Sequence, residues 1–423
     1  MLYYHQGMFI PRVVAMRATN GLGNGYSFGN DFYQIWLSSR EWLRQGRDPY
    51  SPEVTRDIQI GLYGRPLNQP RDQLDRRAFP YPVFTDLLFW PTTRFPFHPL
   101  RIAVVCVLVP LAFAAVLMWL RVLECRLRWQ WIAVIVLLTL CSYPALEGLY
   151  AAQVGLLVSF LLAASFLALQ RHRFLLAGFF MAITTIKPQV TVLVICYLLL
   201  WSLYDWRARG RFVLGFCSTM TLLFAASLAA LPHWVQSWAH QLLAYHNYTL
   251  SPLVTAVLTS DLGRLTGLAT FVLTAGSVVT ALLLSWRNRA VAFGSFAFWI
   301  TVTLILCITI ITILPGQAIY DHLNLLPGVL LLVRYRDQLL AAGRVPRILL
   351  SIGALILLWP YAAAFALILL SPWLASAIFD SLPVFLLPIR TAASIPFAVL
   401  ALLAWTWQIN ARHPEAVAVS SSV

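Results

Sequence analysis

The chain has 423 residues, of which 60% are hydrophobic and 11% charged, and its mean hydropathy is +0.75. A soluble domain carries about 25% charged residues, so these values exclude a water-soluble fold and indicate a polytopic membrane protein. The net charge of +14 then reads as cytoplasmic arginine and attraction to anionic lipid, with no nucleic-acid partner expected.

Residues 1–98 stand apart from the rest. They are polar, rich in Gly, Pro and Arg, and hold eight of the sixteen acidic residues. The apolar stretches in 1–20 are too short and broken for a signal peptide. In "GNDFYQIWLSSREWLRQGRDPYSPE", Asp31 opens an amphipathic helix that carries Tyr33 and Trp36 and is closed by turn residues. Asp31 suits two roles: a cap on the helix N-terminus, or a general base beside rings on which a sugar could stack. Asp48 and Asp86 are weaker candidates. The stretch 83–95 is expected to be an amphipathic or re-entrant helix, since Asp86 and Arg94 make it a poor span.

From residue 99 the chain is a series of apolar runs. Spans are predicted near 100–122, 129–147, 150–169, 174–187, 189–203, 212–231, 265–285, 290–314, 319–333, 347–370 and 383–407. Arginine clusters at 121–128, 171–173, 207–211, 287–289 and 334–347 orient them with those ends in the cytoplasm. The expected organisation is an extracytoplasmic loop region at 1–98, a transmembrane helix bundle at 99–410 and a disordered cytoplasmic tail at 411–423. An eleven-span bundle with residues 1–98 outside leaves nothing to translocate them, so a preceding span is expected to be missing. All six cysteines lie in or beside apolar runs without a CxxC pair, and neither a disulfide framework nor a metal site is expected.

Lys187, in "AITTIKPQVTVL", is the only lysine; the other twenty-nine basic residues are arginine. Both flanking arginine clusters should be cytoplasmic. One helix over 174–203 would be ~45 Å long against a core of ~30 Å and would end on opposite sides. A hairpin turning at Pro188 resolves this. It places Lys187 and Gln189 towards the outer leaflet. A charge at that depth costs about 3 kcal/mol, so an anionic partner is expected: a phosphate, which suits a compact cation, or a nearby carboxylate.

Other polar residues converge on the same side. Gln153 lies just inside a span in "YAAQVGLL". His246, Asn247 and Thr249 lie in "HQLLAYHNYTLSP". Tyr320, Asp321 and His322 lie at a span mouth in "GQAIYDHLNLLP".

The ordered set of these segments resembles glycosyltransferase family 87, membrane enzymes of the GT-C superfamily that use polyprenyl-phosphate sugars. "DFYQIWLSSREWLRQGRDPY" is similar to the family's opening Asp-Phe and Gly-x-x-Pro-Tyr pattern. "FPYPVFTDLLFWP", with Tyr81, resembles its Tyr-Pro-Pro segment. "AAQVGLL" resembles a Gly-Gln-Val-Asn stretch, from which Ala152 and Gly155 depart. "IKPQV", "HNYTLSPLVTAV" and "YDHLNLLP" resemble later motifs. The resemblance implies an all-α GT-C bundle that transfers a sugar, typically mannose, to an extracytoplasmic glycan or glycolipid. It implies Asp31 as the catalytic base and requires no cofactor. Lys187, Gln189 and His322 are then expected at the donor phosphate. Tyr33, Tyr81, Gln153, Asn247, Tyr320 and Asp321 are expected at the substrates. The implied location is the cytoplasmic membrane. The alternative is a transporter or flippase of a lipid-linked or anionic solute, for which a broken span with a buried cation is also suited.

Overall fold

In the computed structural model, the described residues are 1–19, 22–68, 72, 77–248, 266–316, 318–373 and 382–412. Among them the fold is helical, with no β-strand. The N-terminal region contributes a π-helical stretch Tyr4–Phe9, then α1 (Ile10–Thr19), α2 (Asn30–Gln45), α3 (Pro52–Tyr63) and α4 (Phe84–Leu88). The bundle follows with α5 (Phe97–Val122), α6 (Trp129–Leu140), α7 (Tyr143–Tyr150), α8 (Gly155–Gln170), α9 (Phe174–Ile183) and α10 (Pro188–Tyr204). Next come α11 (Trp206–Ala230), α12 (Trp234–Tyr248), α13 (Thr266–Arg287), α14 (Phe296–Thr312), α15 (Leu326–Arg334), α16 (Arg336–Ala341) and α17 (Arg344–Leu370). The last elements are α18 (Leu382–Phe385), α19 (Leu387–Ala392) and α20 (Ile395–Arg412).

Among the described residues, five helical stretches are long and apolar enough to cross a membrane: 97–122, 206–230, 267–287, 344–370 and 387–410. The predicted span at 129–147 is instead a pair, α6 and α7, bent by 53°. The break follows from local chemistry. The Ser142 hydroxyl accepts from the Ala145 N–H at 3.3 Å, and Pro144 occupies the first turn of α7, so a new helix starts there. α8, α9, α10 and α14 are apolar but shorter.

The turn at Lys187 can be read from neighbouring helices. Leu175 lies beside Gly215, Gly178 beside Phe212 and Phe216, and Thr185 beside Met220. α9 and α11 therefore run parallel, and α10, which joins the end of one to the start of the other, runs back between those levels. A Cβ on Gly178 or Gly215 would come within 2.2 Å of a facing backbone oxygen. These two glycines let the helices approach closely, as small residues do inside membranes.

The arginine clusters gather at one end of the bundle. The Arg334 guanidinium donates to the Leu123 carbonyl and to Glu124, Gln170 reaches the Arg121 carbonyl, and Arg287 lies over Trp407. The starts of α5, α8 and α10 lie at the other end, beneath the N-terminal helices.

The N-terminal segment is also helical, where the sequence suggests only broken apolar stretches. The Tyr4 hydroxyl donates to the Phe385 carbonyl at 2.6 Å, and Tyr4, Phe9 and Tyr143 share a small core with Leu367 and Phe385. Glu147 on α7 accepts from the Tyr26 hydroxyl and lies 3.0 Å from the buried His5 ring. The predicted tail at 411–423 lies outside the described residues, apart from the end of α20.

Candidate active site

The site forms where the first turn of α2 meets the end of α7. A helix start leaves backbone N–H groups without intrahelical partners. Here the carbonyls of Tyr150 and Ala151 accept from Gly29, Asp31 and Phe32 at 2.8, 3.2 and 3.4 Å. Gly29, in the left-handed region at φ 82°, occupies the cap position. Asp31 is therefore not the cap, and its carboxylate is available for other partners. Oδ1 accepts from the Arg77 guanidinium at 2.6 Å and Oδ2 from the Gln153 amide at 2.6 Å.

Gln153 is placed by the way α7 ends. Its N–H donates to the Gly148 carbonyl at 2.8 Å and the Ala152 N–H to Leu149 at 3.1 Å, with Ala152 at φ +52°. This is a Schellman-type stop, whose left-handed residue is usually glycine. Beyond it the Tyr81 hydroxyl donates to the Gln153 side-chain oxygen at 3.2 Å, and the Tyr50 hydroxyl donates to the Tyr81 carbonyl at 2.7 Å.

Lys187 completes the cluster from below. Its ammonium lies 2.8 Å from Oδ1 and 2.7 Å from Oδ2 of Asp321, with Oδ1 taking the aligned hydrogen bond. The Tyr320 ring covers it, 4.3 Å from nitrogen to centroid. Asp321 lies on a 3₁₀ stretch, Ile319–Leu325, that packs against α7 and α8. Gly155 joins the two halves. A Cβ there would sit 2.5 Å from Asp321 Oδ1, 3.3 Å from Lys187 Nζ and 3.6 Å from Gln153 Cγ. Asp31 and Asp321 are within electrostatic reach of each other.

The cluster thus brings together Asp31, Gln153, Tyr81, Lys187, Tyr320 and Asp321 of the expected set. It adds Arg77 and Gly155, which sequence reasoning missed. Arg77 is one of several arginines in a polar stretch and carries no spacing signal. Gly155 was visible only as a departure from a motif. Other expected residues lie elsewhere. Tyr33 packs against Phe97 and Trp36 and over Gly61. Gln189 is half-buried in the first turn of α10. His322 lines an apolar cavity of about 220 Å³ with Leu138, Tyr143, Leu326, Leu357 and Tyr361. The side chains of His246 and Asn247, and all of Thr249, lie outside the described residues. Asp48 accepts from the Tyr50 N–H at 2.8 Å and shapes a turn. Among the described residues no group of three or more His, Cys, Asp or Glu side chains could hold a metal ion.

Chemically, the cluster offers a partly exposed carboxylate held by two donors, next to a second, sealed ion pair and a hydrogen-bonded tyrosine. Such a carboxylate can orient a hydroxyl and take its proton. Residues 79–315 match Glycosyltransferase family 87. Tyr81, Gln153, Gly155 and Lys187 fall inside that segment, whereas Asp31, Arg77 and Asp321 fall outside it, so the Arg77–Asp31 pair lies wholly beyond the match and the Lys187–Asp321 pair only in part. Comparison with curated proteins and with solved structures gave no match. With more than half of its residues matched, the chain belongs to glycosyltransferase family 87.

Proposed function

We propose that this membrane glycosyltransferase moves a sugar, mannose by family expectation, from a polyprenyl-phosphate donor to a hydroxyl of an extracytoplasmic glycan or glycolipid. The observation that carries the reading is the Asp31 carboxylate, fixed by Arg77 and Gln153 at the mouth of the bundle. The acceptor oxygen attacks the anomeric carbon while Asp31 takes its proton. The bond from that carbon to the phosphate oxygen breaks, and the electron pair leaves with the lipid phosphate. One displacement inverts the anomeric configuration, so no second nucleophilic carboxylate is needed. Cations near the leaving oxygen stabilise its growing charge, often the largest catalytic term.

The outer-leaflet location rests on the arginine clusters at the opposite end of the bundle. Gln153 orients Asp31 and is itself held by Tyr81. The Lys187–Asp321 pair forms the floor of the site.

The test uses the full chain in lipid nanodiscs, synthetic polyprenyl-phosphate mannose and a glycolipid acceptor. Inverted product that disappears in Asp31→Asn supports the reading. Retained configuration, use of a nucleotide sugar instead, or undiminished transfer by Asp31→Asn would defeat it.

A further inference from the structure

We infer that Arg77, and not Lys187, is the residue that takes the donor's lipid phosphate, and that without donor its guanidinium is parked on Asp31. The inference rests on the donor reading above and concerns which of two cations can reach a phosphate.

Lys187 is poorly placed to do so. Its side chain is 4% exposed and that of Asp321 is 0% exposed. The ammonium already touches both oxygens of Asp321 and lies beneath the Tyr320 ring. Drawing it onto a phosphate would leave a fully buried carboxylate without its cation, which is the costly way to break such a pair.

Arg77 differs in each respect. Its side chain is 14% exposed and that of its partner Asp31 is 16% exposed. Its Nε also lies 3.2 Å from the Tyr63 hydroxyl, and the other terminal nitrogen 3.4 Å from the Gly25 carbonyl. If the guanidinium swings away, Asp31 keeps its 2.6 Å hydrogen bond from Gln153 and some access to water. The planar fork of donors matches a phosphate, and arginine binds such groups through two parallel hydrogen bonds. The same movement clears Asp31 Oδ1 for the acceptor hydroxyl. Donor binding therefore prepares the base, because the guanidinium leaves Asp31 as it takes the phosphate.

Farnesyl phosphate, a short analogue of the leaving lipid phosphate, tests this by its binding to the full chain in nanodiscs, with farnesol and inorganic phosphate alongside. Wild type should prefer farnesyl phosphate to farnesol. Arg77→Gln should weaken farnesyl phosphate by about tenfold and leave farnesol unchanged. Arg77→Lys should recover only part of that affinity, since the charge remains without the fork. The double variant Lys187→Met/Asp321→Asn removes the sealed pair without stranding a charge and should keep the preference. A preference that survives Arg77→Gln overturns the assignment, as does one lost only in the double variant. Inorganic phosphate binding as tightly as farnesyl phosphate would overturn the lipid-borne source. Wild type showing no preference for farnesyl phosphate over farnesol would defeat the donor reading itself, and the assignment with it.

Discussion

The site contains two ion pairs of the same chemistry and opposite burial. Arg77–Asp31 lies at the mouth, with side chains 14% and 16% exposed, whereas Lys187–Asp321 lies beneath it at 4% and 0%. Burial decides what each can do. A partly wet pair gives up little when it opens, so its members can exchange a protein partner for a substrate. A dry pair is weak evidence of net stabilisation, yet breaking it on one side is expensive, because the remaining charge has no compensation. On the proposed reading, the upper pair takes part in the reaction and the lower pair holds the shape of the site.

The largest expected effect is on the upper pair. Asp31→Asn keeps the side-chain size and an oxygen for Gln153 but cannot accept a proton. Transfer should fall by about 10²–10⁴-fold, with thermal stability in detergent close to wild type. A variant that unfolds instead would place Asp31 among the structural carboxylates and erase the contrast. On the lower pair the order should reverse. Lys187→Met should cost about 3–5 kcal/mol of stability by stranding Asp321, and adding Asp321→Asn should recover most of it. Thermal unfolding of the single and double variants checks this. A single variant as stable as wild type would mean that the pair is not structural.

This contrast was only partly legible in the sequence. Asp31 and Gln153 were visible because each is a polar residue set at the end of a patterned segment. Lys187 was visible because it is the only lysine, and the turn beside it because of Pro188. Its partner was not fixed by sequence: Asp321 is 134 residues away, and a phosphate and a carboxylate satisfy the same local pattern. Arg77 was illegible for a different reason. Arginine is common in the outer region, and only the fold shows which one meets Asp31. The helices were legible as apolar runs, but the break between α6 and α7 was not, because the apolar pattern continues across Ser142 while the backbone turns. The helix at residues 1–19 was hidden by His5, Arg12 and Arg17, which interrupt the apolar pattern. Its burial depends on distant partners such as Phe385 and Glu147.

The departures from the family pattern at Ala152 and Gly155 sharpen the same comparison. Ala152 holds a left-handed backbone conformation that a glycine adopts at lower cost. Gly155 gives Asp321 room to reach Lys187. A methyl group there would sit 2.5 Å from Asp321 Oδ1, so the carboxylate must shift. Gly155→Ala should therefore destabilise the chain by about 1–3 kcal/mol, as overpacking does. In an Asp321→Ala background, which lacks the obstructing oxygens, Gly155→Ala should cost less than it does alone. A double-variant cycle by thermal unfolding checks this, and strict additivity would detach Gly155 from the ion pair.

The smallest effect is expected at Asp86, a third carboxylate that shows what burial does without a cation. It lies in α4, ahead of the first long apolar helix, and is fully buried. Oδ1 accepts from the Ser38 and Ser39 hydroxyls at 2.9 and 2.8 Å, while Oδ2 has no hydrogen-bond partner among the described residues. Burial pushes its pKa well above the usual carboxylate range, and the two serine hydroxyls only partly oppose this. The folded protein therefore holds a proton that the unfolded chain releases at about pH 3.9. Stability from this group is complete below that value and is lost as pH rises towards the raised folded pKa. Asp86→Asn keeps an acceptor for both serines and removes the titration. Its stability should stay within about 1 kcal/mol of wild type in mildly acidic buffer, and it should lose less stability than wild type as pH rises. Thermal unfolding from pH 4.5 upward measures this difference in slope. Parallel slopes for the two proteins would mean that Asp86 does not hold the proton, and that burial alone does not neutralise a carboxylate in this outer layer.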